Sequence, residues 1–200
     1  MRAYAIRGAV APKRRPQTTD SNHGLPLAPN LLERDFSASA PNTVWVADIT
    51  YVHTDEGWLY LAGIMDLCTR KIVGWAMRET LHAEIVIAAW LMAVQRQRPG
   101  RGLIHHSDRG VQYACDAFRA ELAKSGAVAS MSRRGDCLDN AAMERFWHTL
   151  KTELVYRTEH ETKEDARRDL FAFIEGFYNP HRLHSTLGYI SPAEAERRTA

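Results

Sequence analysis

The chain has 200 residues, 45% of them hydrophobic, which suits one domain with a buried core and modest extensions. Its 26 basic residues against 24 acidic ones leave a formal charge of +2, so the overall balance does not by itself announce a nucleic-acid protein, and local clusters must carry any such argument. The apolar run from Ile85 to Val94 is too short to span a bilayer, Arg7 interrupts a poor leader-like start, and Cys68, Cys115 and Cys137 lack the spacing of a zinc site or a disulfide framework. A soluble protein of a reducing, cytoplasmic compartment without membrane partners is the expectation.

In chain order, residues 1–40 carry Lys13-Arg14-Arg15 with scattered Pro, Ser and Asn and little apolar periodicity, which predicts a basic, extended N-terminal arm. Strands are expected over about 44–53, 58–66 and 70–77, with Glu56-Gly57 turning the first hairpin. A helix over about 82–97 ends before Pro99-Gly100, followed by a strand over 102–106, a helix over 113–124 and a short strand over 127–131. A helix then starts at Asp139-Asn140 and runs to about 154. The charged stretch 159–170, followed by Leu170, Phe171, Phe173, Ile174 and Phe177, reads as an amphipathic helix, and 178–192 as a loop rich in His and Arg. The plan is mixed α/β: an arm (1–40), a core (41–158) and a C-terminal helix and tail packed on it (159–200).

Three acids stand out. Asp48 lies inside WVADITYV, an apolar and β-branched run that reads as a strand buried on both faces, where a charge needs a partner. Asp108 follows the strand in LIHHSDRG, and Glu144 sits early on the helix of NAAMERFWHTLKTEL. Acids from a strand, a strand tip and a helix can converge, and hard divalent cations take such oxygen ligands. Two ions about 3.5 to 4 Å apart can activate an attacking oxygen and stabilise a leaving one. In that role Asp48 would bridge both, with Asp108 and Glu144 completing one site each. Solvated surface carboxylates are nonetheless the default for an arbitrary triple of acids. His105-His106 and His181/His184 have no paired cysteines beside them and are not read as a zinc site.

The ordered words WVADITYV (45–52), GWLYLAGIMDLCTRKIVGWAM (57–77), HHSDRGVQYAC (105–115), SMSRRGDCLDNAAMERFWHTLKTEL (130–154) and YNPHRLHSTLGYISPAE (178–194) resemble the OrfB-type catalytic subunit of bacterial insertion-sequence transposases. These are DDE transposases of the retroviral-integrase superfamily, and the resemblance runs from about Leu25 to Ala195. It implies a ribonuclease H-like mixed sheet flanked by helices, two Mg²⁺ ions that Mn²⁺ can replace, and Asp48, Asp108 and Glu144 as the metal-binding catalytic triad. It also implies DNA as substrate, both element ends and target, a helix-turn-helix partner subunit, homo-oligomers on DNA, and a place on the nucleoid. Relatives usually have a helical region before the catalytic domain that has no counterpart in residues 1–40, so a truncated copy is expected.

The candidate DNA-binding residues are Arg133 and Arg134 in the loop before Glu144, His148 and Lys151 on its helix, and Arg182 and His184 in the later loop. Positions 144, 148 and 151 share a helix face. The family more often has Asn where this chain has Asp136. Phe146, Trp147 and Leu150 belong to the core or a partner face, and Asp66, Asp116 and Asp139 to structure or capping. A nuclease that only hydrolyses, and a DNA-binding remnant without activity, remain the alternatives.

Overall fold

A computed structural model describes residues 23–133 and 137–199. Its centre is a five-stranded sheet in the order β3-β2-β1-β4-β5. The strands are β1 (Val44–Thr54), β2 (Gly57–Asp66), β3 (Ile72–Arg78), β4 (Ile104–Ser107) and β5 (Val128–Met131). β1 to β3 form an antiparallel meander, and β4 and β5 add in parallel on the other edge of β1. The first turn falls one residue earlier than Glu56-Gly57 predicts: Asp55 and Glu56 form the loop, while Gly57, at φ +105°, pairs with Thr54.

Alternation along β1 sends its side chains into two cores, which is why the strand reads as apolar throughout. Val46 and Val52 join Leu59 and Leu61 under α4 (Ala141–Leu150) and α5 (Lys163–Phe171). Trp45 and Ala47 face the other way, against α1 (Glu84–Gln97) and α3 (Asp116–Ser125). α1 lies so close to β3 that a Cβ on Gly74 would meet the Ala89 carbonyl oxygen at 2.3 Å, so only glycine fits there.

Several expectations need correction. The helix expected over 113–124 is two, α2 (Val111–Ala114) and α3, because Cys115 is extended at ψ 152°. α4 starts as expected, but the Asn140 side chain does not cap it; its Nδ2 donates to the Ala47 carbonyl oxygen at 2.9 Å, fastening the helix start to β1. After Leu150 the helix continues as a π-helical stretch, Lys151–Val155. α5 begins only at Lys163, where Thr162 caps the Asp165 N–H, and it runs on into a π-helical stretch, Ala172–Tyr178. Its buried face is Ala166, Leu170, Phe173 and Ile174; Phe171 and Phe177 lie off that face and are exposed. The expected loop 178–192 contains a helical turn, α6 (Asn179–His181), and a bridge between His184 and Ile190, before α7 (Pro192–Thr199).

The N-terminal arm is described only in part. Lys13, Arg14 and Arg15 lie outside the described residues, but residues 23–40 are docked on the core rather than free. Leu32 is 5% exposed within the first core, the Leu31 N–H donates to Ser130, and the Met131 N–H donates to the Pro29 carbonyl. Polar composition hid this docking because main-chain hydrogen bonds, the Asn30 and Arg34 bonds to Asp139 and a few irregularly spaced apolar residues, Leu25, Ala28, Leu32, Phe36 and Ala38, supply it. Among the described residues no helix is long and apolar enough to cross a membrane.

Candidate active site

Asp48 is the centre of the site. β4 pairs with β1 only as far as Val46, so beyond that point this edge of β1 opens into a pocket. Asp48, Thr50, Tyr51, Tyr60, Asp108 and Gln112 are among its lining residues. One Asp48 oxygen accepts the Ile49 N–H at 2.8 Å, and the other accepts the Trp147 indole N–H at 2.9 Å. Asp108 lies one residue beyond β4, and its Oδ1 accepts the Gly110 N–H at 2.9 Å, which fixes the turn out of the strand. Glu144 is the fourth residue of α4, half-buried, on a helix anchored at Asn140 to the residue before Asp48.

These three acids sense one another. Asp48 keeps some contact with solvent, yet protein surrounds its carboxyl so closely that its pKa lies well above the usual carboxylate value. Burial is the main cause, followed by repulsion from Asp108; Glu144 adds to it, and the Ile49 and Trp147 hydrogen bonds oppose it. Among the described residues no three His, Cys, Asp or Glu side chains are so arranged that they could hold a metal ion as they stand. The donor set nevertheless fits a hard divalent cation: the ligands are carboxylate oxygens, and a cation relieves the repulsion that their proximity creates.

Four further residues belong to the site that the sequence did not single out for it. Trp147 was assigned to the core, and it is 5% exposed, but its N–H also orients the Asp48 carboxylate. Gly63, opposite Asp48 on β2, makes room for it, since a Cβ there would stand 2.9 Å from the indole ring. Asn140 ties α4 to β1, and Tyr113 is buried near Asp48 and Asp108, which with burial hold its hydroxyl protonated far above the usual range. Only the three-residue offset of Trp147 from Glu144, which puts both on neighbouring helix positions, hinted at the first.

Trp147→Phe removes one charge-assisted hydrogen bond and keeps most of the ring. If these acids serve a metal-dependent reaction on DNA, a loss of about 1.5 kcal/mol of alignment predicts a roughly tenfold lower turnover, with a weaker half-saturation by divalent cation and an unchanged KM for DNA. Wild-type turnover and metal dependence in this variant would reduce Trp147 to packing.

The candidate DNA contacts are scattered. The Arg133 guanidinium is half-exposed and grips Asp139 at 2.8 and 3.0 Å; Arg134 lies outside the described residues. His148 is exposed. Lys151 places its ammonium 4.4 Å from the centre of the Tyr51 ring. Arg182 is paired with Glu153. His184 packs its ring edge-on against Tyr178 at 5.3 Å, and burial, with help from Arg182, lowers its pKa to about 4, so it is neutral at physiological pH. His106 bonds Ser130 and Ser132, which accounts for it without a metal, while His105 packs among Trp90, Tyr113 and Phe118 with its Nε2 buried and without a hydrogen-bond partner. Asp66 is structural, accepting from the Asn42 and Thr69 N–H groups, and Cys68 and Cys115 are free thiols.

Comparison with known proteins gives the family and the fold. Two family models, both described as an integrase core domain, match residues 38–137 and 125–192. An uncharacterised 31 kDa protein of insertion element IS600 from Shigella sonnei is 53% identical over 88% of this chain and 65% of its own. Transposase InsF for insertion sequence IS3A from Escherichia coli K12 is 44% identical over 88% of this chain and 61% of its own, so the chain spans somewhat under two thirds of these relatives. Among solved structures, a subunit of a simian T-cell lymphotropic virus intasome superposes with a TM-score of 0.67 at 16% identity, covering 89% of this chain and 60% of that one. The HTLV-2 integrase catalytic core domain, solved with magnesium, gives 0.60 at 14% identity, covering 80% and 99%. At such identities the likeness is one of fold, and that fold is ribonuclease H-like. The chain belongs to the integrase core domain family.

Proposed function

We propose that this chain is the catalytic domain of an insertion-sequence DNA transposase that cleaves the 3′ ends of its element and joins them to target DNA. The observation that carries the reading is the enclosed Asp48 carboxyl on the wall of an open pocket, within electrostatic reach of Asp108 and Glu144. Carboxylates crowded together in a cleft, on a chain whose relatives include a named transposase, fit phosphoryl transfer better than a structural ion-pair network.

Asp48, Asp108 and Glu144 would hold two Mg²⁺ ions, which Mn²⁺ can replace. When bound, these ions would supply charge stabilisation and an activated oxygen for in-line displacement at phosphorus. The chain's own contribution is alignment: Trp147 and Ile49 fix the Asp48 oxygens, the Asp108–Gly110 turn fixes the second acid, and Asn140 holds the helix bearing the third. In the first reaction water attacks a phosphodiester, a new P–O bond forms as the old one breaks, and a 3′-hydroxyl leaves. In the second that hydroxyl attacks a phosphodiester of another strand. No covalent protein–DNA intermediate is needed.

Residues 41–158 form the catalytic core in this reading and 159–200 a C-terminal extension of it. The working enzyme is a homo-oligomer on DNA with a helix-turn-helix partner, acting in the cytoplasm on the nucleoid. The test is incubation of duplexes bearing the element's ends with Mg²⁺: joined products are expected, and equal activity in chelator would exclude the reading.

Lys151, whose ammonium lies over the Tyr51 ring at the pocket, is the DNA contact this reading tests first. The rise from Glu144 is about 10.5 Å, too far for a metal ligand and within reach of a neighbouring phosphate. Lys151→Ala is expected to weaken DNA binding and strand transfer with little change in metal binding. It should also reduce the slope of log affinity against log salt by about one unit. An unchanged slope with unchanged transfer would return Lys151 to the solvated surface.

A further inference from the structure

Beside the carboxylates, the β1–β2 hairpin carries an unusual outer face. Val52, Leu59 and Leu61 point into the core, so the alternating partners Tyr51, His53, Trp58 and Tyr60 share the opposite face. Trp58 is 45% exposed, and its ring meets Tyr51 edge-on at 5.1 Å and His53 at 5.0 Å. The Lys151 ammonium sits over the Tyr51 ring, and Tyr51 and Tyr60 continue into the pocket of Asp48 and Asp108. A large indole left half in water costs apolar exposure, and nothing in the fold of the hairpin requires it, because the core beneath is complete without it.

We infer that Trp58, with Tyr51 and His53, forms a stacking platform for unpaired nucleobases of the DNA strand next to the scissile phosphate, while Lys151 holds that strand's backbone. Every base has a π-face, so stacking on an aromatic ring tolerates any sequence, and a nearby cation secures the phosphate. The occupant follows from continuity and charge. The platform runs directly into the carboxylate pocket where a phosphodiester would react, and a lysine is already seated on its inner ring. Bases splayed from a duplex next to that phosphate would meet an aromatic surface that lowers the cost of unstacking them. This inference rests on the proposed function, because it takes the pocket to be where DNA is cut.

The test compares a blunt duplex with the same duplex carrying a short thymidine overhang. Affinity is read in chelator so that no strand is cut, and Mg²⁺-dependent cleavage is measured separately on the same preparation. The wild-type chain is expected to prefer the overhang by about tenfold, the order of effect that one stacked base supplies. Trp58→Ala should erase that preference, Trp58→Phe should retain most of it, and the overhang should quench the exposed indole more than the blunt duplex does. Trp58 is on the surface, so both variants should keep the wild-type melting temperature. Equal wild-type affinity for the two duplexes, or a preference that survives Trp58→Ala, overturns the platform. So does a Trp58→Ala variant that turns an oligomer into a monomer in sedimentation, which would assign the patch to a second copy of the chain. A chain that binds and cleaves but ignores the overhang defeats the platform alone; one that binds neither duplex defeats the functional reading with it.

Discussion

Asp48→Asn is expected to lower strand cleavage by about a thousandfold or more while the protein stays folded. An acid that serves both metal positions supplies several kcal/mol of transition-state stabilisation, and each 1.36 kcal/mol is a factor of ten in rate. Asparagine keeps the shape and can still accept the Trp147 N–H, so the loss is one of charge. Stability separates this from unfolding. In the folded state the Asp48 pKa is raised, so the native protein holds a proton more tightly than the unfolded chain does, and stability falls as pH rises above the usual carboxylate value near 3.8. A neutral side chain removes that cost. In chelator near pH 7 the Asp48→Asn protein should therefore melt at or above the wild-type temperature. Asp108→Asn and Glu144→Gln should be inactive in the same way, and near-normal turnover in any of the three would remove that residue from the site.

Asp139→Ala is expected to cost about 2 kcal/mol, seen as a fall of roughly 6 °C in melting temperature. Its carboxylate has no exposed surface and gathers the Arg133 guanidinium, the Arg133 N–H, the Arg34 Nε and the Asn30 amide. It thereby joins the docked arm, the end of β5 and the entry to the helix that bears Glu144. Both arginines are about half exposed and can rehydrate, which keeps the figure below that of a fully buried pair. The hydrogen bond from Arg133 is the main reason the Asp139 pKa lies far below its usual value. The sign follows: the stabilisation is complete above the unfolded value near 3.8 and is lost as pH falls through the folded one. Asp139→Asn should flatten the acid limb of the stability profile, and a wild-type acid limb in that variant would contradict the assignment.

What was legible in the sequence was what local patterns encode. The β1 run, buried on both faces, the hairpin into β2 and the strand ending just before Asp108 each depend on neighbours within a few residues, and each lies within two residues of its expected place. Trp147 shows the limit of that reasoning. Its apolar ring announced burial, but its N–H matters because it meets a carboxylate 99 residues away, and no local pattern records such a partner. Asn140 was read for its capping habit, whereas the fold uses its amide on Ala47. The packing of residues 23–40 was not legible because Leu25, Ala28, Leu32, Phe36 and Ala38 follow no regular period, and the Asp139 that holds Asn30 and Arg34 lies more than 100 residues away. The π-helical stretch after Leu150 likewise leaves no signature in a run that simply looks helical.

The most direct test of the carboxylate site is a crystal structure of the chain with end-bearing DNA and Mn²⁺, read from the anomalous scattering of the metal. Two Mn²⁺ peaks are predicted, both bound by Asp48, with Asp108 ligating one and Glu144 the other. Mn²⁺ found only away from Asp48, with the DNA end seated in the pocket, would contradict the assignment of these three acids.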